Sequence, residues 1–460
     1  MNLQQDAYRT INPSTGELVQ EFPAYDDQTA EAALARAHEV YAGWRETTVE
    51  HRVELFRRVA DAVAERRDEL ADKVTEEMGK TQFFARAEVD SFVEIFRYYA
   101  DHASELLADE EAKAAGFTSL ITRREPMGVT LAIEPWNGPL GQAARAAAPN
   151  LMLGNTIIVK PAEICPGSSL LLDRLFVESG FPEGAYQTAL LTFDQVSAYL
   201  ADPRVRAVTL TGSHRAGTRI AEQAGRHIKP VVLELGGSDA FIVLSSADVS
   251  QAAQTAALCR LLISGQVCTS PKRIIVEEPV AGEFIDTFVE AFRTHQVGDP
   301  QDPATVVGPM ASEKAAELLQ EQYDDAVAKG ATVLVPGGRL PGAGFFFAPA
   351  VLTDITPEMR LYSEEAFGPL AIIYRVSDED AAVASANSSM FGLGGTVYAE
   401  DLDQAHRVAR RLDTGGVGIN RILGAPIEIP FGGTKASGLG RELGRSGMDQ
   451  FANIKTYGVA

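Results

Sequence analysis

Two side chains in this chain can together run a covalent cycle on a carbonyl group: Glu234, within Leu233-Glu234-Leu235-Gly236-Gly237, and Cys268, within Gly265-Gln266-Val267-Cys268. A cysteine thiolate attacks an electrophilic carbon, and a carboxylate activates the water that later frees the product. Each residue also has a plainer reading. A glutamate beside a Gly-Gly turn suits the end of a strand, and a cysteine in an apolar stretch suits packing. The other cysteines are Cys165 and Cys259. Three cysteines in 460 residues do not make a disulfide framework, and the seven histidines are scattered, so no metal site is expected.

Other motifs accompany the pair in a fixed order. They are Asn12-Pro13-Ser14-Thr15-Gly16-Glu17, Pro135-Trp136-Asn137, Lys160-Pro161-Ala162-Glu163, Thr211-Gly212-Ser213, Glu364-Glu365-Ala366-Phe367-Gly368-Pro369, Pro430-Phe431-Gly432-Gly433 and Asn453-Ile454-Lys455-Thr456. As an ordered set they resemble the aldehyde dehydrogenase superfamily along nearly the whole chain. Residues 148–155, 235–240 and 451–456 are most similar to its short succinate-semialdehyde dehydrogenase branch.

That resemblance implies an α/β, aldehyde dehydrogenase-like fold with a variant Rossmann cofactor domain, an α/β catalytic domain and a small oligomerisation element. On this basis residues 1–118 are the N-terminal part of the cofactor domain, 119–128 part of the oligomerisation element and 129–234 the Rossmann-like region. Residues 235–429 form the catalytic domain, 430–449 return the chain to the active-site mouth, and 450–460 complete the oligomerisation element. A homodimer, or a tetramer of two dimers, is the expected assembly.

The same resemblance implies NAD(P)-dependent oxidation of a small aldehyde to a carboxylic acid, with water as the second reactant. Cys268 forms a thiohemiacetal whose oxyanion is held by the Asn137 side chain and the Cys268 backbone amide. Hydride departure leaves a thioester, which Glu234 hydrolyses through water rather than passing the acyl group to coenzyme A. The best substrate guess is succinate semialdehyde, giving succinate. The alternatives are a broad aliphatic or aromatic aldehyde dehydrogenase and, further off, a nonenzymatic cofactor-binding scaffold.

Cofactor contacts cannot rest on a Gly-x-Gly-x-x-Gly loop, because no well-placed copy exists. Thr211, Gly212 and Ser213 instead follow an apolar run and precede a helical stretch whose first amides can receive a phosphate. Lys160 and Glu163 are expected at the adenosine ribose. Glu163 repels an added 2′-phosphate, which favours NAD, while Lys160, His214 and Arg215 can offset it and keep NADP open. Glu365 is the candidate ribose ligand at the nicotinamide end, with Trp136, Leu235 and Phe367 near the cofactor and Glu364 a framework charge.

For the substrate, Gly138 stands where the family commonly carries phenylalanine, which implies a wider tunnel. Arg421 is a candidate carboxylate ligand, although a solvent-facing arginine accounts for it equally well. Ile263-Ser264, Val267 and Thr269-Ser270-Pro271 also depart from the usual surroundings of the nucleophile. Gly440-Arg441-Glu442 offers a charge pair that can secure the returning chain.

Positioning such residues requires a core. The hydrophobic fraction of 45% is that of a globular protein, and the length favours more than one domain. A net charge of −22 disfavours nucleic-acid and acidic-lipid surfaces. With no targeting pattern at the N-terminus and no apolar run long enough for a membrane span, the expected setting is cytoplasmic. Apolar spacing predicts helices over 27–44, 52–78 and 88–107, then short buried strands at 129–133, 156–159, 207–210, 231–233 and 241–244. A second α/β unit is expected from the Gly236-Gly237 bend, with strands at 273–276, 332–334, 350–352, 370–374 and 395–398.

Overall fold

The computed structural model describes residues 7–460. Among them, two large sheets carry the molecule. The first runs Gly438–Leu439, Val231–Glu234, Val205–Thr211, Val129–Ile133, Thr156–Lys160 and Tyr186–Thr188. The five strands from Val231–Glu234 onward are parallel, and Gly438–Leu439 closes the edge antiparallel to Val231–Glu234. Thr156–Lys160 is buried at every position, which is why it reads as an unbroken apolar run rather than an alternating one. This is the Rossmann-like half of an α/β fold.

The second sheet runs Thr332–Val335, Ala350–Thr353, Leu370–Val376, Pro271–Glu277, Asp239–Val243, Gly394–Tyr398 and Gly416–Ile419. All its pairings are parallel except the edge pair of Thr332–Val335 with Ala350–Thr353. Helices cover its faces, with Phe284, Phe288 and Phe292 of Glu278–Thr294 packed against Ile274, Val276 and Ile373. A third, small sheet pairs Ala452–Val459 with Ser119–Pro126, which also carries Glu110–Glu111.

Several expectations need correction. The described chain opens on a hairpin, Ala7–Ile11 with Leu18–Pro23, rather than on helices. Its second strand is almost wholly exposed, so it has no apolar signature. The stretch expected as one helix over 52–78 is two, Val49–Glu65 and Arg67–Met78, broken at Arg66, and Gly79 ends the second in a left-handed turn with φ +75°. Asp239–Val243 belongs to the middle of the second sheet, not to the first group of strands. The short edge strands Tyr186–Thr188 and Gly416–Ile419 were not foreseen, the latter because two glycines dilute its pattern. No helix among the described residues is long and apolar enough to cross a membrane.

Candidate active site

Cys268 sits in a loop whose shape is forced. The helix Val249–Leu261 ends, and Ile263, Ser264 and Gly265 follow with φ of +51°, +55° and +71°. Left-handed geometry is costly for a β-branched residue such as Ile263, so surrounding contacts must impose it. Arg260 supplies them. Wholly buried, its guanidinium donates to the carbonyls of Leu370 (2.8 Å), Gly265 (3.2 Å), Ala366 (2.7 Å) and Gly368 (2.6 Å) and to Ser270 Oγ (2.8 Å). Gly265 is required, because a β-carbon there would strike Gly368 O. On the other side of the cysteine, buried Lys272 donates to Val267 O (2.8 Å) and Cys268 O (2.7 Å) and pairs with Glu365 Oε1 at 3.1 Å. Burial pushes the Cys268 thiol up to about 11, while Lys272 and Arg145 favour its thiolate and Glu365 and Asp239 oppose it.

Asn137 lies between Val129–Ile133 and the helix Pro139–Leu153. Its Nδ2 donates to Gln266 O at 3.0 Å, which joins the turn of the first sheet to the cysteine loop and leaves the second amide hydrogen for another acceptor. The Asn137 carbonyl accepts from Lys80 Nζ at 2.8 Å. Lys80 is buried in an ion pair with Glu88, whose Oε1 accepts the first amides of the helix, Leu140 N (2.7 Å) and Gly141 N (3.0 Å). A β-carbon on Gly141 would lie 3.5 Å from the Glu88 chain and one on Gly138 3.3 Å from Gln142, so this turn is closely packed.

Glu234 ends its strand buried, and neither carboxylate oxygen has a hydrogen-bond partner among the described residues. A β-carbon on Gly432, whose φ is +151°, would come within 2.5 Å of Glu234 Oε1, so glycine there keeps the returning segment unstrained and clear of the carboxylate. Burial first, and the nearby Glu442 second, hold the Glu234 carboxyl well above the usual carboxylate range, with Arg145 and Arg441 pulling the other way. Glu442 is itself raised by burial and lies 3.8 Å from Arg145. A third buried carboxyl, Glu134, is raised for the same reason and also feels Glu442. The Arg145 guanidinium rests over the Phe431 ring at 4.8 Å. The expected Arg441–Glu442 pair is absent, because Arg441 turns to the carbonyls of Gly433 (2.9 Å) and Gly440 (2.6 Å) and leaves Glu442 to Arg145.

The candidate cofactor residues gather at the carboxyl ends of the first sheet. Lys160 and Glu163 form an ion pair, with the lysine also near the Tyr8 and Phe193 rings. Ser213 caps the helix His214–Arg226 by accepting from Ala216 N at 3.3 Å, following Thr211 and Gly212. Beside them lies a cavity of about 260 Å³ whose lining includes Ile133, Lys160, Phe193, Ser213, Arg215 and Arg219. A cleft at strand ends beside a helix N-terminus fits a dinucleotide phosphate and its adenosine. Leu235 packs so tightly on Gly217 that a β-carbon there would meet its methyl groups. Toward the cysteine, Trp136 and Phe367 meet edge to face at 5.5 Å, and Glu365 accepts Gly237 N at 3.2 Å. Glu364 is bound by Arg360 and Gln322.

Arg421 is exposed. Sequence reasoning missed Lys80, Glu88, Arg145, Arg260 and Lys272, and it foresaw a charge pair at Glu442 but not Arg145 as its partner. Arg145 had a signal, since it lies on the helix Pro139–Leu153 that follows Asn137, but a charged residue on an alanine-rich helix reads as solvent-facing.

Comparison with known proteins agrees with this geometry. Residues 2–457 match the model of the "Aldehyde dehydrogenase family". The chain is 46% identical over 448 residues to a succinate-semialdehyde dehydrogenase [NADP(+)] of Deinococcus radiodurans, covering 97% of this chain and 94% of that one. It is likewise 46% identical to the enzyme of that name from Mycobacterium avium, covering 98% and 96%. The crystal structure of succinic semialdehyde dehydrogenase from Streptococcus pyogenes in complex with NADP+ superimposes with a TM-score of 0.96 at 38% identity, covering 98% of this chain and 100% of that one.

Proposed function

We propose, from the premise that this chain belongs to the aldehyde dehydrogenase family and is an NAD(P)-dependent aldehyde dehydrogenase, that its substrate is succinate semialdehyde and its product succinate. The observation that carries the substrate is Arg145. It is a partly exposed cation at the site, felt by both Cys268 and Glu234 and braced by Phe431 and Glu442. A carboxylated aldehyde needs such a partner, and a neutral one does not.

In this reading the Cys268 thiolate adds to the aldehyde carbon. The free hydrogen of Asn137 Nδ2 and the Cys268 N–H receive the oxyanion. Lys160, Glu163, Ser213 and Glu365 would hold a nicotinamide dinucleotide, which would supply the hydride acceptor. Glu234 then takes a proton from the water that attacks the thioester, and its unpartnered oxygens are suited to that water.

NAD is the first cofactor reading, because a Glu163 carboxylate accepts ribose hydroxyls and repels a 2′-phosphate. NADP is the second, favoured by Arg215 and Arg219 at the cavity. We infer a cytoplasmic homo-oligomer with the sheet of Ser119–Pro126 and Ala452–Val459 at its interface. Turnover of succinate semialdehyde, neutral aliphatic aldehydes and aromatic aldehydes, each with NAD and NADP, tests the reading. Because Arg145 also favours the Cys268 thiolate and the Glu234 carboxylate, Arg145→Met should slow turnover of every aldehyde, but it should raise KM roughly tenfold or more for succinate semialdehyde and leave KM for neutral aldehydes unchanged. Equal KM effects on both would remove the carboxylate role, and wild-type preference for an aromatic aldehyde would remove the substrate.

A further inference from the structure

Lys272 makes three polar contacts, which use all three donors of its ammonium group: Val267 O at 2.8 Å, Cys268 O at 2.7 Å and Glu365 Oε1 at 3.1 Å. Its side chain is 1% exposed, so these bonds are made without competing water. Val267 O and the Cys268 N–H belong to one peptide group. That group is planar and trans, so its carbonyl and its N–H point in opposite directions. The same carbonyl accepts from Ser270 N at 3.2 Å, so the turn and Lys272 together fix the N–H on the far side, and Lys272 is the charged partner of the two. The Cys268 N–H makes no protein hydrogen bond among the described residues, so it is available to a ligand.

The environment makes this clamp more than a brace. A cation on the carbonyl polarises the peptide and strengthens its N–H as a donor, as in any hydrogen-bonded chain of low local dielectric. Glu365, the third partner, is the residue read as the ribose ligand, and it also takes Gly237 N. Arg260 holds the loop from the opposite face through Gly265 O and Ser270 Oγ, but touches neither Val267 nor Cys268. Lys272 alone of the two reaches the peptide that carries the nucleophile.

We propose that Lys272 is a positioning residue that aims and polarises the Cys268 backbone amide toward the substrate oxyanion, and ties that amide to the cofactor ligand Glu365. The proposal rests on Cys268 being the nucleophile. It predicts a defect that, once the thiol is fully ionised, is confined to carbonyl chemistry. Attack of the thiolate on a saturated carbon generates no oxyanion and does not need the amide.

The test compares two rates on the full-length enzyme at saturating cofactor. One is the pre-steady-state burst of reduced cofactor with succinate semialdehyde. The other is alkylation of Cys268 by iodoacetamide as a function of pH. The charged groups facing the thiol are Lys272, Arg145, Glu365 and Asp239. Lys272→Met should slow the burst roughly ten- to a hundredfold, less than the loss of an oxyanion donor outright. Its alkylation midpoint should move to higher pH, because a cation that favours the thiolate is gone, while the high-pH plateau stays within about twofold. Lys272→Arg, which keeps the charge, should recover part of the burst, and it carries the test if the methionine variant does not fold. A burst within about twofold of wild type in both variants overturns the proposal, as does a plateau that falls in step with the burst. A burst retained by Cys268→Ala overturns the nucleophile assignment itself, and is read separately from either result.

Discussion

Around Cys268 the buried charges are saturated with partners, whereas across the site Glu234 has none. Arg260 spends its guanidinium on four carbonyls and a hydroxyl, and Lys272 its ammonium on two carbonyls and a carboxylate. Glu234 Oε1 and Oε2 are both buried and unpartnered, beside a second raised carboxyl at Glu442. The contrast follows from what each side must do. Charge develops on an oxygen beside the cysteine, and donors fixed in advance stabilise it without reorganising. A base for water needs a free lone pair and space, which a fully bonded carboxylate lacks.

The strongest way to break the comparison is at the nucleophile. Cys268→Ala should lower aldehyde-dependent cofactor reduction by at least about 10⁴-fold while leaving cofactor binding in place, checked by burst kinetics and fluorescence titration. Retained turnover would move the chemistry elsewhere. On the opposite side, Glu234→Gln should slow thioester hydrolysis by about 10²- to 10⁴-fold and leave the first burst, so that an acyl-enzyme accumulates and is visible by intact mass. An unchanged acyl-enzyme lifetime would assign the base to another group.

A smaller effect sharpens the role of the buried framework. Lys80→Met, tested with the double variant Lys80→Met/Glu88→Leu to avoid a lone buried carboxylate, should lower kcat about tenfold with little change in KM for the cofactor. In an Asn137→Ala background the same change should cost almost nothing, because Lys80 acts through Asn137. Additive losses would show that the pair supports the fold at large.

The smallest expected change is a shift of pH. Glu234 ionises late because it is buried and because Glu442 is near. Glu442→Gln removes the second cause, so Glu234 becomes a base at lower pH and the acid limb of the deacylation rate moves down. An acid limb that stays put or rises would mean that burial acts alone.

Much of the frame was legible from local pattern. The apolar runs at 129–133, 156–159 and 370–374 named strands because strands buried on both faces admit little else. Gly79 marked a helix end because only a left-handed residue completes that turn. The exposed hairpin strand Leu18–Pro23 and the glycine-diluted Gly416–Ile419 lacked that pattern and were invisible.

By itself, the sequence determined which residue types are available: a thiol at 268, a carboxylate at 234, an amide at 137, and the ordered motifs around them. It also determined where the chain must bury strands, because apolar periodicity is a local property. Tertiary structure alone decided the company these groups keep. Lys80 and Asn137 lie 57 residues apart, and Asn137 and Gln266 lie 129 apart, yet each pair shares a hydrogen bond. An isolated lysine, arginine or glutamate in a sequence reads as solvated, since burying it without a partner is too costly. Lys80, Lys272 and Arg260 are buried because the fold adds to their local partners a carbonyl at Asn137, a carboxylate at Glu365 and carbonyls at Ala366, Gly368 and Leu370, which only the closed chain supplies.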